Sequence, residues 1–176
     1  MVRYQIQFKS CESEDAAALC LIGQATFLES FAGILDGEAI MGHCQKAHSE
    51  AYYRNCLAFK DHRFWLVQLQ PGLASVGYLM VAPPQLPLED VSATDLEIKR
   101  IYLLSKFQGG GVGKRLLDEA IKYARTCSAR RLLLGVYAHN TDAIGFYEHM
   151  GFTKIGTRQF NVGGKYYDDF IMGLSL

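Results

Sequence analysis

Hydrophobic and polar positions divide the first half of the chain into strand-like and helix-like segments. Strands are predicted at Arg3–Lys9, Arg63–Gln70 and Ser75–Val81. Apolar residues at helical spacing predict a helix from Ala16 to Ile34, with Ser13 as its N-cap. A second helix is predicted from Glu38 to Phe59. The first half of the chain is therefore predicted to contain two helices between a first strand and a pair of strands.

The next strand, Asp95–Leu104, contains a break in its alternation. Its apolar residues fall at Leu96 and Ile98 and then at Ile101 and Leu103. This slip of one residue indicates a β-bulge, which leaves a residue unpaired and often lies beside an active site.

The second half mixes the same two kinds of segment. A glycine-rich turn precedes an amphipathic helix that includes Leu116, Leu117 and Ala120. The continuous apolar run Arg131–Ala138 predicts a strand buried on both faces, and Asn140–Met150 predicts a short helix. A hairpin is predicted from Lys154–Val162 and Lys165–Leu174. The order β-α-α-β-β-β-α-β-α-β-β predicts a single mixed α/β domain over residues 1–176, with about four helices.

Composition removes several classes of function. The 18 basic and 18 acidic residues balance, which argues against a nucleic-acid partner. The five cysteines are odd in number and form no CxxC pair, which argues against a disulfide framework and against a zinc knuckle. The apolar runs Val76–Ala82 and Leu132–Ala138 are too short to cross a membrane. We expect a cytoplasmic protein.

The segment Gln108–Lys114 reads QGGGVGK and suggests a phosphate site. Glycines let backbone N–H groups approach a ligand, and a helix N-terminus adds free donors and partial positive charge. A Walker A loop would need glycine at Gln108 and Ser or Thr at Arg115, and a Rossmann loop would need glycine at Lys114. The remaining alternatives are a pyrophosphate site and a plain flexible turn.

Two motifs resemble one family. Gln108-x-x-Gly111-x-Gly113 resembles the Q/R-x-x-G-x-G/A signature of the GNAT superfamily of acyl-CoA N-acyltransferases, and the segment from Asn140 to Phe152 resembles its N-x-x-A-x-x-F-Y-x-x-x-G-F signature. The resemblance covers Arg3 to Leu174 in element order and is closest from Leu96 to Phe152. It implies a GNAT fold, a mixed central sheet with a splayed, bulged strand, and use of acetyl-CoA as cosubstrate without a metal.

The resemblance also implies a set of cosubstrate-binding residues. The backbone of a strand segment would pair with the pantetheine arm, the loop would bind the pyrophosphate, and Asn140 would contact the arm. A backbone N–H freed by the bulge would stabilise the oxyanion. The expected residues are Ile101, Tyr102, Leu103, Gln108, Gly109, Gly110, Gly111, Val112, Gly113, Lys114, Asn140 and Tyr147. The alternative role of Asn140 is that of a helix N-cap.

Two residues are candidates for proton transfer. Tyr147 in the second motif would act as the general acid, because a phenol is protonated at pH 7 and can donate to a leaving thiolate. Its alternative role is core packing beside Phe146. Glu97, just before the bulge, would act as the base, directly or through water. Its alternative role is a salt bridge with Lys99 or Arg100, and His139 and His149 are substitutes for it.

The resemblance implies that the acetyl acceptor is an amine, and we expect the first two helices to bind it. Aromatic rings and a carboxylate there suit a cation. The candidates are Phe27, Glu29, Phe31, Tyr52 and Tyr53. The narrower resemblance is to bacterial polyamine (spermidine/spermine) N-acetyltransferases, carried by Leu96–Leu103, the loop, Leu134–Val136 and Asp169–Met172. Two alternative functions stay open: acetylation of protein N-termini or lysines, and a non-catalytic regulator that binds acyl-CoA. A homodimer is also possible.

Overall fold

The computed structural model describes residues 4–176, which form one seven-stranded sheet with helices on both faces. The sheet order is β1-β2-β3-β4-β5-β7-β6. Every strand pair is antiparallel except β4 and β5. In chain order the elements are β1 (Gln5–Ser10), α1 (Ala16–Phe31), α2 (Gly37–Ala47), α3 (Glu50–Leu57), β2 (Arg63–Gln70), β3 (Ala74–Ala82), β4 (Leu96–Leu103), α4 (Val112–Thr126), β5 (Arg131–Tyr137), α5 (Thr141–His149), β6 (Thr153–Val162) and β7 (Lys165–Ser175).

Alternation along the strands sends side chains into two cores. Helix α4 packs on one face, where its Leu116 and Leu117 meet Ile98 and Leu134 of the sheet. Helices α1 and α3 pack on the other face against a core that includes Tyr78. Strand β5 is buried on both faces at residues 132–134, as its continuous apolar run predicts.

Strands β4 and β5 pair over only a short length and then part. Their parallel register covers Leu96 to Ile98 opposite Leu132 to Leu134. On the other side of β4, Met80 faces Arg100 and Val81 faces Ile98, so Lys99 is the extra residue of a bulge. The predicted bulge between Ile98 and Ile101 is confirmed. It bends β4 where its pairing with β5 ends and opens a cleft between the two strands.

Asp95 fastens the paired end of β4 to β5. It is 1% exposed, and its carboxylate accepts hydrogen bonds from Arg130 at 2.8 Å and Arg131 at 2.8 Å. Burial alone would raise the pKa of Asp95, but the two guanidinium groups outweigh burial and lower the pKa below its ordinary value. The two strands are thus clamped at one end and free to diverge at the other.

Removing the Asp95 charge should destabilise the whole domain. Because the hydrogen bonds join a buried carboxylate to cations, Asp95→Asn should lower the free energy of unfolding by roughly 2–3 kcal/mol. The lowered pKa means that the stabilisation is complete above pH ~4 and is lost as pH falls below that value. Urea unfolding at several pH values measures this. Glu119→Gln removes an exposed pair with Lys122 and should cost less than ~1 kcal/mol. Equal losses for the two variants would contradict the clamp.

The helix prediction is wrong at one place and shifted at others. The predicted helix Glu38–Phe59 is two helices, because Ser49 accepts a hydrogen bond from the Tyr52 N–H and caps a new helix, and His48 before it has a non-helical backbone. The structure therefore has five α-helices among the described residues. Ser13 does not cap α1; it begins a short 3₁₀ turn whose N-cap is Glu12. Arg3, in the first predicted strand, lies outside the described residues. Within residues 4–176, the helices are too short or too polar to span a bilayer.

Candidate active site

The cleft between β4 and β5 is the site at which most of the predicted cosubstrate-binding residues meet. Its walls come from the bulged part of β4, the glycine loop, the start of α4, strand β5 and helix α5, with the end of α1 on the opposite side. The predicted residues that line it are Phe31, Ile101, Tyr102, Leu103, Gln108, Gly109, Gly111, Gly113, Lys114, Asn140 and Tyr147.

The glycine loop is shaped by its own residues. Gly109 and Gly111 have φ of +78° and +77°, a left-handed conformation that strains other residues. The Gln108 side chain donates to the Leu103 carbonyl at 2.8 Å, which ties the loop to β4. Gly111 is the N-cap of α4 and offers no side-chain cap. The N–H groups of the first turn are therefore available to an anion.

Gly110, Val112 and Gly113 differ in their surroundings. Gly110 does not line the cleft, and Val112 packs into the core at 8% exposure. A Cβ at Gly113 would meet only Phe146, at 3.9 Å, so the protein itself leaves room for a side chain there. A requirement for glycine at position 113 would therefore come from a ligand.

Tyr147 lies at the wall of the cleft with its ring in the core. Its ring packs against Phe146 and Phe152, with centroids 5.3 and 5.8 Å away. No side chain or backbone group of the described residues hydrogen-bonds its hydroxyl, yet no fully buried polar side-chain atom lacks a partner, so the oxygen reaches the cleft. Burial, with Tyr102 nearby, raises the pKa of Tyr147. The phenol therefore stays protonated and available as a donor.

Asn140 is the N-cap of α5 and also lines the cleft. Its side-chain oxygen accepts from the Ala143 N–H at 3.1 Å, which fixes the start of α5. The same residue lines the cleft beside His139. His149, in contrast, is exposed at the end of α5.

The structure does not bring Glu97 into the cleft. It is 2% exposed, and its carboxylate accepts from Lys99 at 2.7 Å and from the Gln85 N–H at 2.8 Å. The cleft is lined from Ile98 onward. Glu97 thus forms the salt bridge that was its alternative role, with Lys99, and holds the bulged residue in place.

The predicted acceptor residues are divided among four locations. Only Phe31 lines the cleft. Phe27 is buried in a small core with Leu35 and Ile40. Both oxygens of Glu29 accept from Ser105, at 2.9 Å from the N–H and 2.8 Å from the hydroxyl, so α1 is tied to the segment after β4.

Tyr52 and Tyr53 contact Arg100, whose sequence position suggests only a salt bridge with Glu97. The Arg100 guanidinium carbon lies 4.7 Å from the Tyr52 ring centroid, and Arg100 donates to the Tyr53 hydroxyl at 2.9 Å. Arg100 itself lines the cleft. Its position directly after the bulged residue was the signal that could have marked it.

Fold and cleft together define a class of protein. A parallel strand pair that separates beside a glycine loop and an uncapped helix N-terminus matches what the sequence resemblance implies for an acyl-CoA-dependent transferase. In the part of the chain that the structure describes, no three His, Cys, Asp or Glu residues gather as metal ligands.

Comparison with known proteins places the chain in a family. The profile of the acetyltransferase (GNAT) family matches residues 27–152, more than half of the chain, and the chain belongs to that family. It is an acetyl-CoA-dependent N-acetyltransferase. An uncharacterized N-acetyltransferase of the pepI 3′ region of Lactobacillus delbrueckii subsp. lactis is 28% identical over 97% of this chain and 98% of its own length.

Two further similarities concern the acceptor and the fold. The spermine/spermidine N(1)-acetyltransferase of Bacillus subtilis is 31% identical over 65 residues, 36% of this chain and 43% of its own length. The structure of PaiA N-acetyltransferase from Thermoplasma acidophilum, in complex with coenzyme A, has a TM-score of 0.79 at 22% identity, covering 98% of this chain and 99% of that one. The predicted GNAT fold is confirmed.

Proposed function

We propose that this protein transfers acetyl from acetyl-CoA directly to a primary amine of a small molecule. The observation that carries the proposal is the Tyr147 hydroxyl, which has no partner among the described residues and reaches a cleft bordered by the bulge and the glycine loop. An acyl-CoA-binding regulator would have no use for a protonated phenol at that place. Direct transfer requires no covalent acyl-enzyme.

The expected chemistry assigns one task to each part of the cleft. The amine nitrogen bonds to the acyl carbon, the carbon–sulfur bond breaks, and the thiolate takes a proton from Tyr147. The amine gives up its own proton to solvent, since Glu97 lies outside the cleft. Backbone N–H groups at the bulge of β4 stabilise the oxyanion, and the loop from Gln108 to Lys114 holds the pyrophosphate.

The wall formed by α1 favours a small acceptor over a protein. Ser30, Phe31 and Ile34 border the cleft at the end of α1. The bonds between Glu29 and Ser105 hold that wall against the segment following β4. A fixed wall limits the opening through which a lysine or an N-terminal segment of a protein would have to enter.

A polyamine is one acceptor to test, supported by the similarity to the Bacillus subtilis enzyme. The charges of the site argue for a different amine. Glu29, Glu50 and Glu97 are each engaged, with Ser105, Arg54 and Lys99. A polycation would therefore find few free carboxylates.

An amine panel tests the proposal. We expect thiol release from acetyl-CoA to accelerate with at least one small primary amine and not with histone-type or N-terminal peptides. Spermidine and propylamine should be compared at low and high salt, because screening over about 10 Å at 0.1 M weakens attraction between exposed charges. Spermidine preferred in a salt-dependent way would favour the polyamine. Coenzyme A binding without turnover on any small amine of the panel would overturn the proposed acceptor class.

A further inference from the structure

Arg100 brings a positive charge to the cleft, and no carboxylate of the described residues lies within 4.0 Å of it to balance that charge. The neighbouring basic residues are different: Lys99 pairs with Glu97, and Arg158 pairs with Asp169 at 3.0 Å. A guanidinium that is largely removed from water without a counter-ion is costly unless something else compensates it.

Neutral groups hold Arg100 in one position. Its guanidinium carbon lies over the rings of Tyr52 and Tyr53, and one terminal nitrogen, Nη1, is 2.9 Å from the Tyr53 hydroxyl and 3.5 Å from His48 Nδ1. Burial first, and the Arg100 charge second, lower the pKa of His48 to about 2. His48 is therefore neutral and adds no second charge.

Helix α1 is adapted to this cluster. A Cβ at Gly23, in the middle of α1, would come within 2.3 Å of the Tyr53 hydroxyl and 2.6 Å of His48 Nδ1. Glycine inside a helix costs about 1 kcal/mol relative to alanine. Glycine at position 23 leaves the space in which Tyr53 and His48, the two side chains that orient Arg100, pack against the helix.

The other donors of Arg100, a residue that lines the cleft, have no partner among the described residues. The hydrogen bonds of its side chain within residues 4–176 all use Nη1, which leaves Nε and Nη2 without a partner. Because no fully buried polar side-chain atom there lacks a partner, Nε and Nη2 have accessible surface. These two nitrogens form the edge of the guanidinium that binds a carboxylate through two parallel hydrogen bonds.

The position of Arg100 assigns this edge to the acceptor. Arg100 packs against α3, on the face of the sheet opposite α4 and the glycine loop. It also stands directly before Ile101, where β4 has parted from β5. A group bound by Arg100 would therefore lie near the place of transfer but away from the pyrophosphate site.

We propose that the amine accepted by this enzyme carries a carboxylate, which Arg100 binds through Nε and Nη2. The inference rests on the proposed function and narrows its substrate to amino acids and related amino carboxylates. Among the basic side chains that line the cleft, Lys99 is paired with Glu97 and Lys114 with Asp118, whereas no carboxylate of the described residues lies within 4.0 Å of Arg100.

Matched acceptors test the inference. Glycine, 4-aminobutanoate and 6-aminohexanoate should be compared with their primary amides, which keep the amine and remove the charge. We expect at least one carboxylate to exceed its amide in kcat/KM by roughly 10-fold to 100-fold, the effect of a charged hydrogen-bonded pair. Arg100→Gln should abolish this preference through KM, and Arg100→Lys should restore part of it. Arg54→Gln, on the exposed side of α3, should leave it unchanged.

A binding measurement separates this inference from the proposed function. Calorimetric titration of the coenzyme A-loaded protein with the same acids and amides needs no turnover. Tighter binding of an acid than of its amide, lost in Arg100→Gln while coenzyme A affinity persists, supports the carboxylate site even if no amine is acetylated. Equal binding of every acid and amide pair to the wild type would overturn it, as would an Arg100→Gln variant that keeps the preference.

Discussion

Replacing Tyr147 with phenylalanine should lower kcat by about 10²–10⁴-fold, or about 3–5 kcal/mol of transition-state stabilisation. The substitution removes one hydroxyl and leaves the ring against Phe146 and Phe152. That hydroxyl has no partner among the described residues, so its loss breaks no structural hydrogen bond. The KM for acetyl-CoA should change far less, because proton donation to the thiolate belongs to the transition state. Steady-state kinetics with one amine measure both quantities.

A second tyrosine supplies the control for this prediction. Tyr123 on α4 packs edge-on against Trp65, away from the cleft, and Tyr123→Phe should keep kcat within about twofold of the wild type. Thermal unfolding of both variants shows whether either has lost stability. If Tyr147→Phe retained near wild-type kcat, Tyr147 would be a core aromatic, and water or another group would protonate the thiolate.

Introducing aspartate at Gly113 should weaken coenzyme A binding on the order of 100-fold, about 3 kcal/mol. A Cβ there meets only Phe146, at 3.9 Å, so the fold should survive the substitution. The carboxylate would lie in the first turn of α4, whose free N–H groups are expected to bind the pyrophosphate. The negative charge of the aspartate would then repel the negative charge of the pyrophosphate. Isothermal titration with coenzyme A measures the loss, and urea unfolding checks the fold.

Asparagine at the same position separates charge from bulk. Gly113→Asn has nearly the same shape as Gly113→Asp without its charge, so it should bind coenzyme A more tightly than the aspartate variant, and the difference should shrink at high salt. Unchanged affinity in both variants would mean that the pyrophosphate does not approach position 113. Gly111 cannot serve this purpose, because its φ of +77° would strain any other residue.

Local patterns in the sequence predicted those elements whose cause is local. Strand Arg63–Gln70 has the predicted bounds, and the slip between Ile98 and Ile101 marked the bulge at Lys99. Here the alternation along the strand itself records which face each residue takes. The break between α2 and α3 is also local, since Ser49 is an N-cap residue type, but helical spacing on both sides of it concealed the break.

Residues that line the cleft were predicted where a short motif fixes their place in the chain. Gln108, Gly109, Gly111 and Gly113 line the cleft with Tyr147, as their two motifs imply. Each motif begins or forms one helix, so its geometry depends on a few neighbouring residues. Glu97 shows the limit of such reasoning, because strand position alone did not say which face its carboxylate takes or that Lys99 and Gln85 would hold it.

The sequence by itself determined the mixed α/β domain, the bulged strand and the glycine loop that leads into a helix, because each depends on periodicity or on contiguous residues. Only the tertiary structure decided that β4 and β5 pair from Leu96 to Ile98 and then part. It alone brought Tyr53 from α3 to Arg100 of β4, 47 residues away along the chain. Whether an arginine pairs with a carboxylate or lines a cleft without one depends on packing among distant segments, and for that reason the sequence did not predict the environment of Arg100.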